Sequence, residues 1–466
     1  MSEEKIAMSS AERRASLSLA GIFGLRMLGL FLILPVLSLY AHDLAGSTPL
    51  LVGMAIGAYG LTQALLQIPF GAASDRLGRK PVIAFGLVLF AVGSAVAAAA
   101  DSIYLLLLGR ILQGAGAIGA AVIALVADLT REETRTRAMA LIGMTIGVSF
   151  AVSLVLGPTL AHWIGVPGIF WLTAVLSVGA IGVVFLVVPE PEHSGRHRDA
   201  ELSREMLGGI LRDPTLLRLD FGIFALHLVL TALFVVVPPL LVEELGLTTS
   251  RQWLLYLPVV LVSFVLMFPL VFLAEARRFM QPVFVGAIVT LAAALLLLVW
   301  LPVGIWTVGL ALVAFFTGFN VLEASLPSLI SKAAPAAAKG TAVGVYNVAE
   351  FFGAFLGGTL GGWASGVYGP EGVFLIGAVM ALVWLGVALS GPVPHHVSTR
   401  MMAVGALDQG EAQALERALR KVEGVVEARV FADEGTAYCK VDRQRLDEAS
   451  LSEAMDWARA EAEAAG

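Results

Sequence analysis

Charge is scarce in this chain. Asp, Glu, Lys and Arg make up 14% of its 466 residues, against 58% hydrophobic residues and a mean hydropathy of +0.86. A soluble globular chain carries about 25% charged and about 45–50% apolar residues. That deficit excludes a soluble enzyme or binding domain over most of the length. Cysteine is scarcer still: Cys439 is the one thiol, which excludes an intrachain disulfide, a CxxC pair and a Cys/His metal spacing. The sequence has no P-loop, and with it ATP-driven pumping is excluded. It shows no nucleophile–base constellation either, so no enzymatic activity is expected. The net charge of −6 averages basic loops with an acidic tail and offers no surface for nucleic acid. No cofactor and no metal are expected.

Long apolar runs are what the chain has in excess. Crossing a hydrocarbon core takes about 20 mostly apolar residues. Twelve stretches meet that length: 17–40, 50–73, 81–100, 103–127, 138–164, 167–188, 218–241, 252–274, 282–301, 304–329, 340–366 and 371–391. The first is too long for a signal-peptide core and reads as a retained helix. All must be helical, since an open strand would leave backbone groups unpaired in lipid. An all-α membrane protein is therefore expected.

The loops alternate in basic charge. One set holds Arg76, Arg79 and Lys80; Arg131, Arg135 and Arg137; Arg196, Arg198, Arg204, Arg212 and Arg218; Arg277 and Arg278; and Lys332 and Lys339. The other set holds Arg251 alone. By the positive-inside rule the first set is cytoplasmic, as are both termini. The longest internal connection, 189–217, divides the spans into six (1–188) and six (218–391). Two such bundles around a normal axis place a site between them. Within the linker, Asp199–Arg212 suits either a short amphipathic helix or a solvated strand of chain.

Between spans two and three the chain reads Gly71-Ala72-Ala73-Ser74-Asp75-Arg76-Leu77-Gly78-Arg79-Lys80-Pro81. Gly71 allows helices to approach, Gly78 a tight turn, and Pro81 the first turn of the next helix. Asp75, among three cations, should be ionised and paired. This segment resembles motif A of the major facilitator superfamily, with Ala73 where that pattern often has Leu. The resemblance implies that Asp75 docks on the N-terminal end of the eleventh helix, where the dipole favours an anion. It also implies that Arg79 pairs with both Asp75 and Asp128. Such a cluster latches the two bundles while the site faces outward. The corresponding loop of the second half, Glu275-Ala276-Arg277-Arg278, keeps charge without the glycine pattern.

Charges inside the spans are the candidates for function, because lipid tolerates them only against a partner or a cavity. Arg110 sits in Gly109-Arg110-Ile111-Leu112-Gln113-Gly114, with Gln113 on its face of the helix. The segment resembles motif B of the proton-coupled members. Gly157-Pro158 in span five resembles the motif C kink of drug–proton antiporters, although Ala161 and His162 replace glycines that usually follow. Arg26 lies deep in span one with Pro35 beyond it. Its compensating acids are expected to be Glu323 or Glu350, each preceded on one face by an amide, Asn320 and Asn347. Such a Glu either takes and releases the coupling proton or sits in a static pair with Arg26 or Arg110. Tyr59, Gln63 and Gln67 recur every four residues, as do His227 and Thr231. These stripes, with Gln113, are expected to line the cavity, though His227 also suits an interhelical hydrogen bond. Few other polar groups occur, which favours an amphipathic organic solute over a sugar.

From about 400 to 466 the chain turns charged. Met401–Val404 reads as a strand, Asp408 as a helix cap, Val425–Phe431 and Thr436–Val441 as strands, and 451–463 as a helix. This order is ferredoxin-like. Val422–Ala428 resembles heavy-metal-associated domains, but Gly405-Ala406-Leu407-Asp408 lacks their CxxC. The small α+β domain suits small-ion binding, a partner or self-association, or a stabilising role. The whole chain resembles the YajR-type transporters. The resemblance implies a twelve-helix major facilitator fold of two six-helix bundles in a bacterial inner membrane. It also implies a proton-driven exporter, with lipid, protons and a small solute as partners. Solute uptake and a sensor signalling through the tail remain open.

Overall fold

Proline and glycine decide where the apolar runs become helices and where these break. The computed structural model describes residues 8–190, 204–276, 279–335, 338–391, 397–405, 407–432, 435–442 and 445–454. Helix α1 (Ser10–Phe31) opens on a capping box in which Ser9 and Glu12 exchange side-chain-to-backbone bonds. It breaks at Leu32–Ile33, because Pro35 has no N–H for the Phe31 carbonyl, and α2 (Leu34–His42) completes the crossing. Helix α3 (Pro49–Leu77) turns through Gly78, at φ 93°, into α4 (Arg79–Ala98). The fourth crossing is split into α5 (Ile103–Ala115) and α6 (Gly119–Asp128).

Helix α7 (Glu132–Leu186) spans 55 residues with one break, at Gly165 (φ 70°). Beyond the linker, α8 (Arg204–Ile210) is the described part of the expected amphipathic segment; its start, with Arg196 and Arg198, lies outside the described residues. There follow α9 (Pro214–Glu243), α10 (Trp253–Ala276), α11 (Met280–Trp300), α12 (Ile305–Ala333) and α13 (Lys339–Leu389). Arg277 and Arg278 also lie outside the described residues. Helix α13 breaks at Gly369 (φ 71°). Among the described residues ten helical stretches are long and apolar enough to cross a membrane. Since α7 and α13 each cross twice, there are twelve crossings, six on each side of the linker. The loop 77–80, the start of α1 and the linker share one face, the motif face.

Glycine faces set how closely the bundles approach. A Cβ on Gly53 of α3 would collide with the Gly358 carbonyl of α13, and one on Gly362 with the Pro49 carbonyl. All of these contacts lie in the half of each helix away from the motif face. Toward the motif face Gly344 of α13 meets open space. The bundles are thus closed on the far face. Within the second bundle, Gly353 and Gly357 bring α13 onto the backbone of α9 at Phe224 and Leu228.

The tail pairs β1 (Val397–Ala403), β2 (Val425–Phe431) and β3 (Thr436–Asp442) in the order β1-β3-β2, both ladders antiparallel. Helix α14 (Gln409–Leu419) joins β1 to β2 under an Asp408–Glu411 capping box. Strand β1 starts at Val397 rather than Met401, because it pairs with β3 as far as Asp442. Of the expected last helix, 448–454 are helical and the remainder lies outside the described residues. Cys439 is in the core of this sheet. Burial pushes its thiol up to about 11, which leaves little thiolate and an unreactive side chain. The buried Lys440 pairs with Glu427 at 3.4 Å and donates to the Ala333 carbonyl at 3.0 Å, so the sheet touches the end of α12.

Gly358→Leu should force overpacking at the far-face contact and destabilise it by about 1–3 kcal/mol. A lowered thermal midpoint in detergent is the expected result. An unchanged midpoint would contradict the contact.

Candidate functional site

On the motif face the expected cluster is built within the first bundle. Arg79 is buried; it bonds the Asp75 carboxylate one turn back, reaches the Ser74 hydroxyl at 2.7 Å and pairs with Asp128 of α6 at 3.2 Å. Lys80 donates to the Val188 carbonyl and to Glu190, both at 2.7 Å, tying the loop to the end of α7. Arg76 is exposed and Gly71 packs on Ala120. Among the described residues Asp75 makes no hydrogen bond to the N-terminal end of α13. The half of the molecule in which the bundles touch is the other one. A second clamp, invisible in the sequence pattern, joins α1 to α7: Glu12 accepts from Arg131 Nη2 at 2.9 Å and from the Thr134 hydroxyl at 2.9 Å.

The two membrane arginines are not paired with Glu323 or Glu350. Arg26 donates to Gln63 at 2.5 Å and lies over the Phe90 ring, and Gln63 donates to Gln67 at 2.9 Å. Arg110 donates to the Ala55 carbonyl at 3.0 Å, the Ile56 carbonyl at 3.3 Å and Gln113 at 2.7 Å, beneath the Tyr59 ring. Gln113 passes the network on to Ser94 at 2.8 Å. A guanidinium has five donors and no acceptor, so two buried ones absorb the amides around them. Tyr59, Gln63, Gln67 and Gln113 are accordingly buried in the first bundle rather than lining an open cavity. Gly157 lets the Leu32 carbonyl, freed by the Pro35 break, come against α7; Pro158 stays within that helix.

The acids meet a different partner. His227 Nε2 of α9 stands 3.5 Å from Glu350 of α13 and 4.0 Å from Glu323 of α12. Its Nδ1–H donates to the Ile223 carbonyl at 3.3 Å, because a carbonyl can only accept. That leaves Nε2 of the ring facing the two carboxylates. Three electron-rich atoms within 4.8 Å of one another repel unless a cation or a proton lies among them. Glu323 and Glu350 keep 33% and 23% side-chain exposure at mid-crossing, and Glu350 is within electrostatic reach of Tyr59 across the bundle boundary. The cluster therefore borders the cleft between the bundles. Asn320 donates to Ser263 at 3.4 Å, and Asn347 is half-buried beside the acids. Thr231 is buried.

Toward the far face the cleft is stopped by aromatic rings. Phe150 of α7 packs on Phe31 at 5.3 Å and on Phe316 and Phe319 of α12 at 5.9 Å each, and Phe319 touches the His227 ring at 6.1 Å. These phenylalanines carry no pattern that separates them from core residues in an apolar sequence.

Residues 19–358 match a family model described as the Major Facilitator Superfamily. The chain belongs to that superfamily. It is 42% identical over 448 residues to the inner membrane transport protein YajR of Escherichia coli, covering 96% of this chain and 98% of that protein. It is 26% identical to the multidrug resistance protein MdtH of Cronobacter sakazakii over 82% of this chain and 94% of that one. Among solved structures, a bacterial homologue of the human lysosomal transporter Spinster, described as inward-facing and occupied, superposes with a TM-score of 0.69 at 15% identity, covering 82% of this chain and 97% of that one. As a superfamily member the protein is a multi-pass membrane transporter of a small solute and not an enzyme.

Arg110→Lys should lose the fork that reaches two carbonyls and Gln113 at once. Buried bonds of this kind contribute roughly 1.5–3 kcal/mol to charged groups. A clear drop in thermal midpoint is expected, and wild-type stability in that variant would contradict the network.

Proposed function

We propose that the protein is a proton-coupled secondary transporter of a bacterial inner membrane, exporting a small amphipathic organic solute by alternating access. The observation that carries the reading is the His227–Glu323–Glu350 cluster, two acids and an imidazole nitrogen held together at the cleft with no arginine or lysine in ion pair with them among the described residues. One proton between these groups relieves the repulsion, and its release restores two charges that need water. The cluster thus has two states with different demands on solvent, which is what coupling to an opening and closing cleft requires. The apolar cleft with few charges suits an amphipathic solute, and the relative named for multidrug resistance supports efflux. The basic motif face is the cytoplasmic one by the positive-inside rule, with both termini there.

The present form is then open toward the cytoplasm. When the cleft opens outward the motif-face halves of α3 and α13 come together, and Asp75 docks on the N-terminal end of α13. Arg26 and Arg110 hold the first bundle rigid and supply a positive field beside the acids. The tail acts on α12, the helix that carries Glu323, through the Lys440–Ala333 contact.

The test uses proteoliposomes with an imposed pH gradient and a panel of lipophilic cations and amphipathic drugs. Wild type should show solute-driven proton flux, reduced at least ~10-fold in Glu323→Gln or Glu350→Gln. Undiminished coupling in both variants would sink the proposal.

A further inference from the structure

One buried acid plays no part in that reading. Asp220 of α9 is 6% exposed, and neither carboxylate oxygen has a hydrogen-bond partner among the described residues. Among the described residues no arginine or lysine forms a hydrogen bond with it. Arg218, two residues back, is turned to Thr215 at 3.3 Å. An ionised carboxylate in such surroundings is strongly penalised, and a bound proton removes the penalty.

Its position connects it to the cluster. Asp220 precedes His227 by seven residues, two helical turns or about 10 Å toward the motif face, on the same side of α9. Tyr346 of α13 precedes Glu350 by one turn, about 6 Å in the same direction. Tyr346 is 3% exposed, and its hydroxyl likewise has no partner among the described residues. The register of α9 on α13, Phe224 against Gly353 and Leu228 against Gly357, brings Asp220 level with the turn between Tyr346 and Glu350. The Tyr346 hydroxyl lies within electrostatic range of Glu323, Glu350 and Asp220. The titratable groups facing this stretch are therefore Tyr346 and Glu350 from α13, Glu323 from α12 and His227 from α9 itself.

We propose that Asp220 is a second proton-carrying carboxyl, exchanging its proton with the His227–Glu323–Glu350 cluster through the Tyr346 hydroxyl. Neither hydrogen bond is made in the present form; once Tyr346 closes on both carboxyls, its oxygen accepts a proton from the cluster carboxyl as its own hydroxyl proton passes to the Asp220 carboxylate. The tyrosine is neutral before and after, and the net change is one proton moved toward the motif face. This gives the proton a route apart from the cleft, open even when a solute fills it. The inference rests on the cluster as a proton site.

The experiment needs no knowledge of the solute. A lipophilic carbodiimide, which modifies protonated carboxyls in apolar surroundings, is applied to the full-length protein in detergent at neutral pH, and its sites are read by peptide mass mapping. Asp220 should be labelled in wild type and equally in Glu323→Gln and Glu350→Gln. Infrared spectra should lose one protonated-carboxyl band in Asp220→Asn. The same band should shift in frequency and in titration midpoint in Tyr346→Phe. An unlabelled Asp220, or no band lost in Asp220→Asn, overturns the second carboxyl. A band unmoved in Tyr346→Phe overturns the route. If Glu323→Gln and Glu350→Gln remove no titrating band while Asp220 is labelled, the cluster reading fails, and the exchange with it, but not the carboxyl.

Discussion

Charge inside a bilayer has to be answered from within the protein, and the two bundles answer it in opposite ways. The first bundle surrounds Arg26 and Arg110 with carbonyls, glutamines and aromatic faces until little of either side chain is exposed. The second leaves Glu323 and Glu350 against a histidine whose Nε2 faces them. One side is held by hydrogen bonds within its own bundle, although Arg26 Nε has no partner among the described residues. On the proposed reading, a single proton changes the other. On that reading, a cationic half facing a titratable anionic half is the physical basis of an alternating cleft, and the solute passes at the interface between them.

That interface is close because it is made of glycine. Along α3 and α13 the backbones meet where any side chain would collide, in the half away from the motif loop. Dispersion at such distances holds the far face shut without a hydrophobic force between helices, which lipid does not supply. Toward the motif face the same helices diverge, and the Asp75–Arg79–Asp128 cluster belongs to one bundle only. The latch and the glycine contact thus sit at opposite ends of one pair of helices.

Much of this was legible in the sequence. The count of crossings followed from run length, the loop 71–81 from its glycines and charges, and the tail from its alternating strands. The partners of the buried charges were not legible. Arg26 was expected to be compensated by Glu323 or Glu350, with a static pair to Arg26 or Arg110 as the alternative to proton coupling; both arginines bond instead to Gln63, Gln113 and main-chain carbonyls, which leave no mark in composition. His227 was one polar residue in an apolar helix, and only the convergence of α9, α12 and α13 gives it two acids. Asp220, Glu12 and Phe150 were missed for the same reason: their significance lies in what surrounds them, and in a chain this apolar the surroundings are not encoded in local pattern.

The most direct test of the account is a distance across the motif face, between spin labels on the ends of α3 and α13, measured by pulsed electron resonance as pH is varied. With the acids ionised the charges demand water, and the motif face should stay open; as pH falls and the cluster takes its proton, the population should shift toward the shorter distance. The shift should vanish in the Glu323→Gln, Glu350→Gln double variant. A distance distribution in wild type that does not move with pH would contradict the claim that the cluster's proton governs the cleft.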